Sequence, residues 1–292
     1  MGKLAAKLVR LGGRVPDRAV PELFRRIAAH TLRLFVQHVP PQGSGLVVVD
    51  LLESYIPPPR GLLRARHVSG YLTSCDLNDA VQKAMFYRGV FEPATSRMIL
   101  DVLPVGGTFL DVGANAGHYT YLAAAAVGPS GCVYAIEAAP LNARRLRADL
   151  QANGLTGRVI LHEVAVADVP GEMRLQHAPG PSPHGMRYLD PAATSGGELV
   201  SVTTLDEILP DLRADVVKID VEGADLCVLR GMSKILAAHP PKLVVVEVID
   251  SLLERFGDST ADVIEFMRGA GYEAPRIYDP YAADMLAFVP SS

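Results

Sequence analysis

The chain has 292 residues, 49% hydrophobic and 21% charged, a balance that suits one large core plus an accessory region. It holds no run of about eighteen apolar residues, so no transmembrane helix is expected. Residues 1–40 carry eight Lys or Arg against Asp17 and Glu22, a net +6 that leaves −10 on the remainder, and so acidic a body argues against nucleic acid as a partner.

Residues 3–38 read as two helices broken near Gly12-Gly13 and Pro16. Leu4, Leu8 and Leu11 share one face, and Leu23, Ile27 and Leu34 another. Two readings fit: a basic amphipathic arm for a membrane surface, or helices packed on the domain or on a second subunit of a homodimer. Packing is the preferred one. Leu46–Asp50 and His67–Leu72 read as short strands around Pro57-Pro58-Pro59. Asp76–Tyr87 reads as a helix capped by Asp76 and ended by Gly89, and Thr95–Leu103 as a further helix.

From residue 108 strands alternate with helices, the pattern of a parallel α/β sheet covered on both faces. The expected strands are 108–112, 132–136, 158–164, 215–220 and 243–248, and the expected helices 116–127, 140–153, 223–238 and 260–270. Residues 272–278 and 285–289 have no helix between them and should form an antiparallel hairpin, which makes seven strands. Residues 168–204 interrupt the alternation. Met173–Leu175 and Val200–Thr203 look like strands, and the Pro/Gly/Ser-rich stretch 178–199 between them reads as a substrate lid carrying His184, Arg187 and Tyr188.

Residues 108–118 join a buried strand to a helix through a glycine turn spaced Asp111-x-Gly113-x-Asn115-x-Gly117. A dinucleotide site would want Gly-x-Gly-x-x-Gly. An acid just before the turn suits a ligand with an ammonium group, such as S-adenosylmethionine (SAM). In this reading Asp111, Gly113, Asn115 and Gly117 hold its methionine part, with His118 facing the same site. Glu137 ends the next strand, about twenty residues on, where such folds hold ribose hydroxyls. The backbone near Ala165 should line the adenine.

Residues 215–223 form a second informative segment. Charged Lys218, Asp220 and Glu222 stand at the carboxyl end of an apolar strand, the edge where open α/β sheets bind ligands. Glu247 ends the next strand in the same way. These acids could supply a general base, hold one divalent cation such as Mg²⁺ (the less favoured reading), or form an ion-paired network with Lys218. His118 and His184 are further candidates for the base. Cys75, Cys132 and Cys227 are too widely spaced for a metal knot or disulfide framework, which suits a reducing compartment. No continuous apolar stretch follows the basic N-terminus, and the expected location is cytoplasmic.

These segments together resemble the FkbM-type SAM-dependent methyltransferases. The matching stretches are Phe109–Gly117, Val133–Pro140, Val202–Asp206, Val217–Gly223 and the shorter Gly89-Val-Phe-Glu92-Pro93. The resemblance departs at Ala138-Ala139, where the family often has Pro-Asn, and at Asp225, where it usually has Glu. It implies a Rossmann-like class I methyltransferase domain over 89–292, with 1–88 as an accessory region. It places Glu92 and Asp220 at the cofactor, and Asp220, Glu222 and Glu247 toward the acceptor. It also implies O-methylation of a small molecule: a secondary metabolite, sugar or glycolipid. A nitrogen or carboxylate acceptor, and a catalytically silent SAM-binding module, are the alternatives.

Overall fold

The structure, a computed structural model, describes residues 20–38, 44–53, 55–178, 186–273 and 284–291. Its central sheet comprises β3 (Thr108–Val112), β4 (Cys132–Ile136), β5 (Val159–His162), β10 (Val216–Ile219), β11 (Leu243–Glu247) and β12 (Met285–Phe288). The order is β12-β11-β10-β3-β4-β5, with β12 antiparallel to β11 and the other pairs parallel. The apolar runs alternate between two cores. Phe109, Val133, Val216 and Val245 enter one; Leu110, Val217, Ile219 and Val244 enter the other. Starting at β3, the chain winds out through β4 and β5, then returns to lay β10 against the other side of β3. That reversal opens a crevice at the carboxyl ends of β3 and β10.

All five expected parallel strands are present. Helices α5 (His118–Ala126), α6 (Pro140–Ala152) and α11 (Thr260–Gly269) also stand where the sequence puts them. The single helix expected over 223–238 is two, α8 (Asp225–Arg230) and α9 (Ser233–Ala238). The Asp206 carboxylate accepts from the backbone N–H of Lys234 and Ile235 and starts α9 afresh. Of the expected terminal hairpin, β12 is present and Tyr272 makes one antiparallel bridge to Pro290. Residues 274–278 of its first strand lie outside the described residues, which hold six strands in this sheet.

A second sheet has the order β6-β9-β7-β8, from β6 (Ala165–Val166), β7 (Gly171–His177), β8 (Arg187–Asp190) and β9 (Glu198–Thr203). The stretch expected to be a lid therefore contains a paired strand, β8, because Leu189 turns into a small apolar core with Leu175 and Val202. Residues 179–185, His184 among them, lie outside the described residues.

The N-terminal region departs most from expectation. It holds α1 (Glu22–His38), α2 (Ser44–Glu53), β1 (Leu62–Arg66), β2 (Leu72–Asp76), α3 (Ala80–Arg88) and α4 (Pro93–Val102). Leu46–Asp50 lies inside a helix, not a strand. The helix buries Val49 in the core with Leu46 against it, and Asp50 and Glu53, one helical turn apart, both reach Lys83 (3.4 and 2.5 Å), so tertiary packing overrides the β propensity of the valines. His67–Leu72 is mainly the turn of the β1–β2 hairpin, closed by His67 N–H donating to Tyr71 C=O (2.8 Å). The cap of α3 is Asp79, which accepts from Gln82 N–H (2.9 Å); Asp76 instead ends β2. Leu23 and Leu34, expected to pack inward, are 71% and 62% exposed. The buried face of α1 is Arg25, Ala29 and Val36, with Arg25 donating to the Val20 and Pro58 carbonyls. Arg33, one turn beyond Ala29, lies over the Phe86 ring. No helix among the described residues is long and apolar enough to cross a membrane.

The hairpin is latched to the central domain. The Asp149 carboxylate on α6 accepts from Ser74 N–H (2.7 Å) and Ser74 Oγ (2.8 Å), both buried. Asp149→Ala leaves two buried donors without partners and should cost about 2–5 kcal/mol of unfolding free energy. Urea denaturation measures this, and a loss under about 0.5 kcal/mol would show that the latch carries no stability.

Candidate active site

A cavity of about 250 Å³ lies at the carboxyl ends of β3, β4, β10 and β11. One side is the glycine turn. Gly113 adopts φ +84°, and a Cβ there would overlap the Asp220 carbonyl oxygen. Gly117, at φ +86°, lies so close to Leu146 that its Cβ would sit 2.5 Å from Cδ1. Asn115 is left-handed too, at φ +47°, a region asparagine tolerates better than most side chains. Glu137 braces this turn from β4. One carboxylate oxygen accepts from Asn115 N–H (2.6 Å) and the other from Ala139 N–H (2.7 Å). Burial raises its carboxyl to about 7, against the pull of those two bonds. Glu137, Gly113, Asn115 and Ala165 all line the cavity.

Asp111 is placed differently. It is buried beneath the turn, in register with Lys218 across β10, and is not on the cavity wall. One oxygen accepts from Thr120 Oγ1 (2.6 Å), and the other has no hydrogen-bond partner among the described residues. Burial raises its pKa, opposed by Lys218. The structure thus places Asp111 under the turn and off the cavity wall, whereas the sequence reading puts it against the methionine group. The strand continues through Val112, which carries the Asp111 side chain inward.

Lys218 is 1% exposed and pairs with Asp220 at 2.5 Å. Its ammonium lies 4.6 Å from the Tyr119 ring centroid. Burial disfavours its charge, but Asp220, Asp111 and Glu92 outweigh this and hold its pKa above the ordinary lysine value. Tyr119 Oη in turn donates to the Glu92 carboxylate (2.5 Å), at the start of α4 and on the cavity wall. Tyr119 carried no signal in the sequence, because it sits in an Ala-rich helix that reads as core.

The opposite side of the cavity is acidic. Because β10 and β11 are neighbours, carboxylate oxygens of Asp220, Glu222 and Glu247 come within 4.8 Å of one another. Strand alternation does not explain Glu222, which lies beyond β10 in a left-handed turn at φ +58°. Asp225 holds that turn by accepting from Val221 N–H (3.1 Å) and Gly223 N–H (2.9 Å), which gives it a role the sequence left open. Burial, then Asp220 and Asp225, raises Glu222 to about 8. Burial, then Asp220 and Glu222, raises Glu247 well above the carboxylate range. Oε2 of each is buried with no hydrogen-bond partner among the described residues.

His118 lines the cavity, but both ring nitrogens are engaged, Nδ1 by His67 and Nε2 by Ser96, each at 2.9 Å. Neither nitrogen is open to act as a base. From the second sheet, Leu175, Met186, Arg187 and Leu189 close the cavity. Of the expected lid residues, Arg187 faces the cavity and Tyr188 packs under Arg255. The charged lining is Glu92, Glu137, Asp220, Glu222 and Glu247 against Lys218 and Arg187. Carboxyls that are raised by burial and by one another ionise more readily beside a positive charge, so this lining, beside a turn with no room for side chains, fits a ligand with a sulfonium and an ammonium group, as SAM has.

Comparison with known proteins agrees. Residues 111–274 match the family model described as the methyltransferase FkbM domain. No curated protein matches the chain. Among solved structures, the methyltransferase FkbM from Methylobacillus flagellatus KT is 16% identical, with 95% of this chain and 62% of that one covered and a TM-score of 0.43. A SAM-dependent O-methyltransferase from Thermotoga maritima is 16% identical over 83% and 82% of the two chains, with a TM-score of 0.43. A tRNA m1G37 methyltransferase from M. jannaschii is 12% identical over 82% and 60%, with a TM-score of 0.44. Likenesses this distant carry no argument about the acceptor. The family match spans more than half of the chain and takes in both the glycine turn and the carboxylate edge, so this chain belongs to the FkbM methyltransferase family and is a SAM-dependent methyltransferase.

Proposed function

We propose that the chain methylates a hydroxyl group of a small molecule. The observation that carries this reading is the cluster of Asp220, Glu222 and Glu247 across the cavity from the glycine turn. When bound, SAM supplies a methyl group on a positively charged sulfur that leaves as a neutral thioether. The acceptor oxygen forms the new C–O bond as the C–S bond breaks, and its proton must go to a base. Glu222, with a carboxyl near 8, can take that proton when ionised, and lies in the range where general-base catalysis is effective. Lys218 fixes Asp220 beside it. The small walled cavity and the acidic body support a small acceptor over a nucleic acid.

Incubation with methyl-labelled SAM and a panel of alcohols, amines and carboxylic acids tests the acceptor class. Label should pass to an alcohol; exclusive labelling of amines would overturn the reading. With that acceptor, Glu222→Gln or Asp220→Asn should lower turnover by about 10²-fold or more. S-adenosylhomocysteine affinity, read by calorimetry, should change little. Unchanged turnover in both variants would remove the carboxylates from the chemistry.

The raised carboxyl of Glu222 also fixes a pH dependence. The folded protein holds this proton more tightly than the unfolded chain does. Its stabilising effect is complete below the unfolded carboxylate pKa and is lost as pH rises through about 8. Unfolding free energy should therefore fall between pH 5 and 9 more steeply in the wild type than in Glu222→Gln. Parallel slopes would show that Glu222 titrates as an ordinary acid.

A further inference from the structure

His67 lies on the β1–β2 hairpin, outside residues 111–274, and is 2% exposed. Its Nε2 is 2.9 Å from Nδ1 of His118, with the two rings edge to face. His118 Nε2 is 2.9 Å from Ser96 Oγ, and Ser96 Oγ donates to the Phe91 carbonyl (3.0 Å). One assignment of the protons satisfies all of these contacts. The Ser96 hydrogen is committed to Phe91, so Ser96 Oγ must accept from His118 Nε2–H. A neutral His118 then has only a lone pair at Nδ1, and His67 Nε2–H must donate to it. His67 Nδ1 is left as an acceptor, and it faces Ser69 Oγ (2.7 Å) and Ser69 N–H (3.2 Å). The relay runs one way, from Ser69 through His67, His118 and Ser96 to Phe91 C=O. It is complete only with both imidazoles neutral. Burial favours that state, lowering His67 to about 4 and His118 well below its usual value, the latter helped by His67 and Lys218.

The end of the relay is part of the cavity. Phe91 and Glu92 both line it, and Glu92 is a non-glycine residue at φ +41°, a conformation that persists only where its surroundings impose it. His118 is the first residue of α5, directly after Gly117 of the glycine turn. We infer that His67 is a positioning residue for the methyltransferase cavity: by donating to His118 it fixes that ring's tautomer, and through Ser96 it holds the Phe91–Glu92 wall in place. The inference rests on this cavity being the SAM site. It makes the N-terminal hairpin a working part of that site.

The test compares three variants in the full chain. His67→Phe keeps a ring but removes the donor. His67→Gln keeps an amide N–H that can donate to His118 Nδ1. Ser96→Ala cuts the relay nearer the cavity and stands in if His67→Phe does not fold. Calorimetry with S-adenosylhomocysteine should show affinity weakened about tenfold or more by His67→Phe and Ser96→Ala, and held within about threefold by His67→Gln. Nitrogen-15 NMR of the wild-type histidines should find both rings protonated at Nε2 alone and not titrating between pH 5 and 8. This arm needs no ligand, so it stands or falls apart from the methyl-transfer reading. Wild-type affinity in both relay-cutting variants, or a proton on Nδ1 of His118, would overturn the inference.

Discussion

A lysine ammonium buried in an inner strand of a parallel sheet is the constraint on which this site depends. Lys218 cannot stay charged there without compensation, since the desolvation of an isolated ion is far larger than any single contact. Asp220 supplies a direct pair, Asp111 and Glu92 add negative charge, and the Tyr119 ring covers the ammonium. Each of these comes from a different element: the end of β10, β3, the start of α4, and α5. One buried charge thus ties the glycine turn, the carboxylate edge and the N-terminal wall into a single electrostatic unit.

The unit is over-supplied with acid, and that excess sets the chemistry. Lys218 is paired directly with Asp220. Glu222 and Glu247 are left sharing the edge with like charges, and their carboxyls rise accordingly. The same excess favours a cationic cofactor. The turns that carry the unit are held by other buried carboxylates: Glu137 under Asn115 and Asp225 under Val221–Gly223. Two acids that sequence alone would count as ligand contacts or loop residues therefore act as struts for the backbone. Glu137 does this while also facing the cavity.

Much of this was legible in the residues. Four short apolar strands ending in or beside an acid, and a glycine turn with fixed spacing, locate β3, β4, β10, β11 and the crevice between them, because strand alternation and backbone sterics are local rules. Where the outcome depended on distant contacts, local rules failed. The valines of Leu46–Asp50 went into a helix that buries Val49 in the core and brings Asp50 and Glu53 to Lys83. The apolar stripe of Leu23, Ile27 and Leu34 faces outward because Arg25 found buried carbonyl partners on the other side of α1. Asp111 is an acid before a glycine turn, but its place beneath the turn depends on Lys218, a hundred residues away in sequence. His67 gave no signal at all, since its role exists only where β1–β2 meets α5.

The proposed function places methyl transfer between the glycine turn and the carboxylate edge. A crystal structure with S-adenosylhomocysteine bound tests this most directly. It should place the ribose at Glu137 and turn the sulfur toward Asp220, Glu222 and Glu247. A ligand bound outside this cavity, or one whose sulfur faces away from those carboxylates, would contradict the claim.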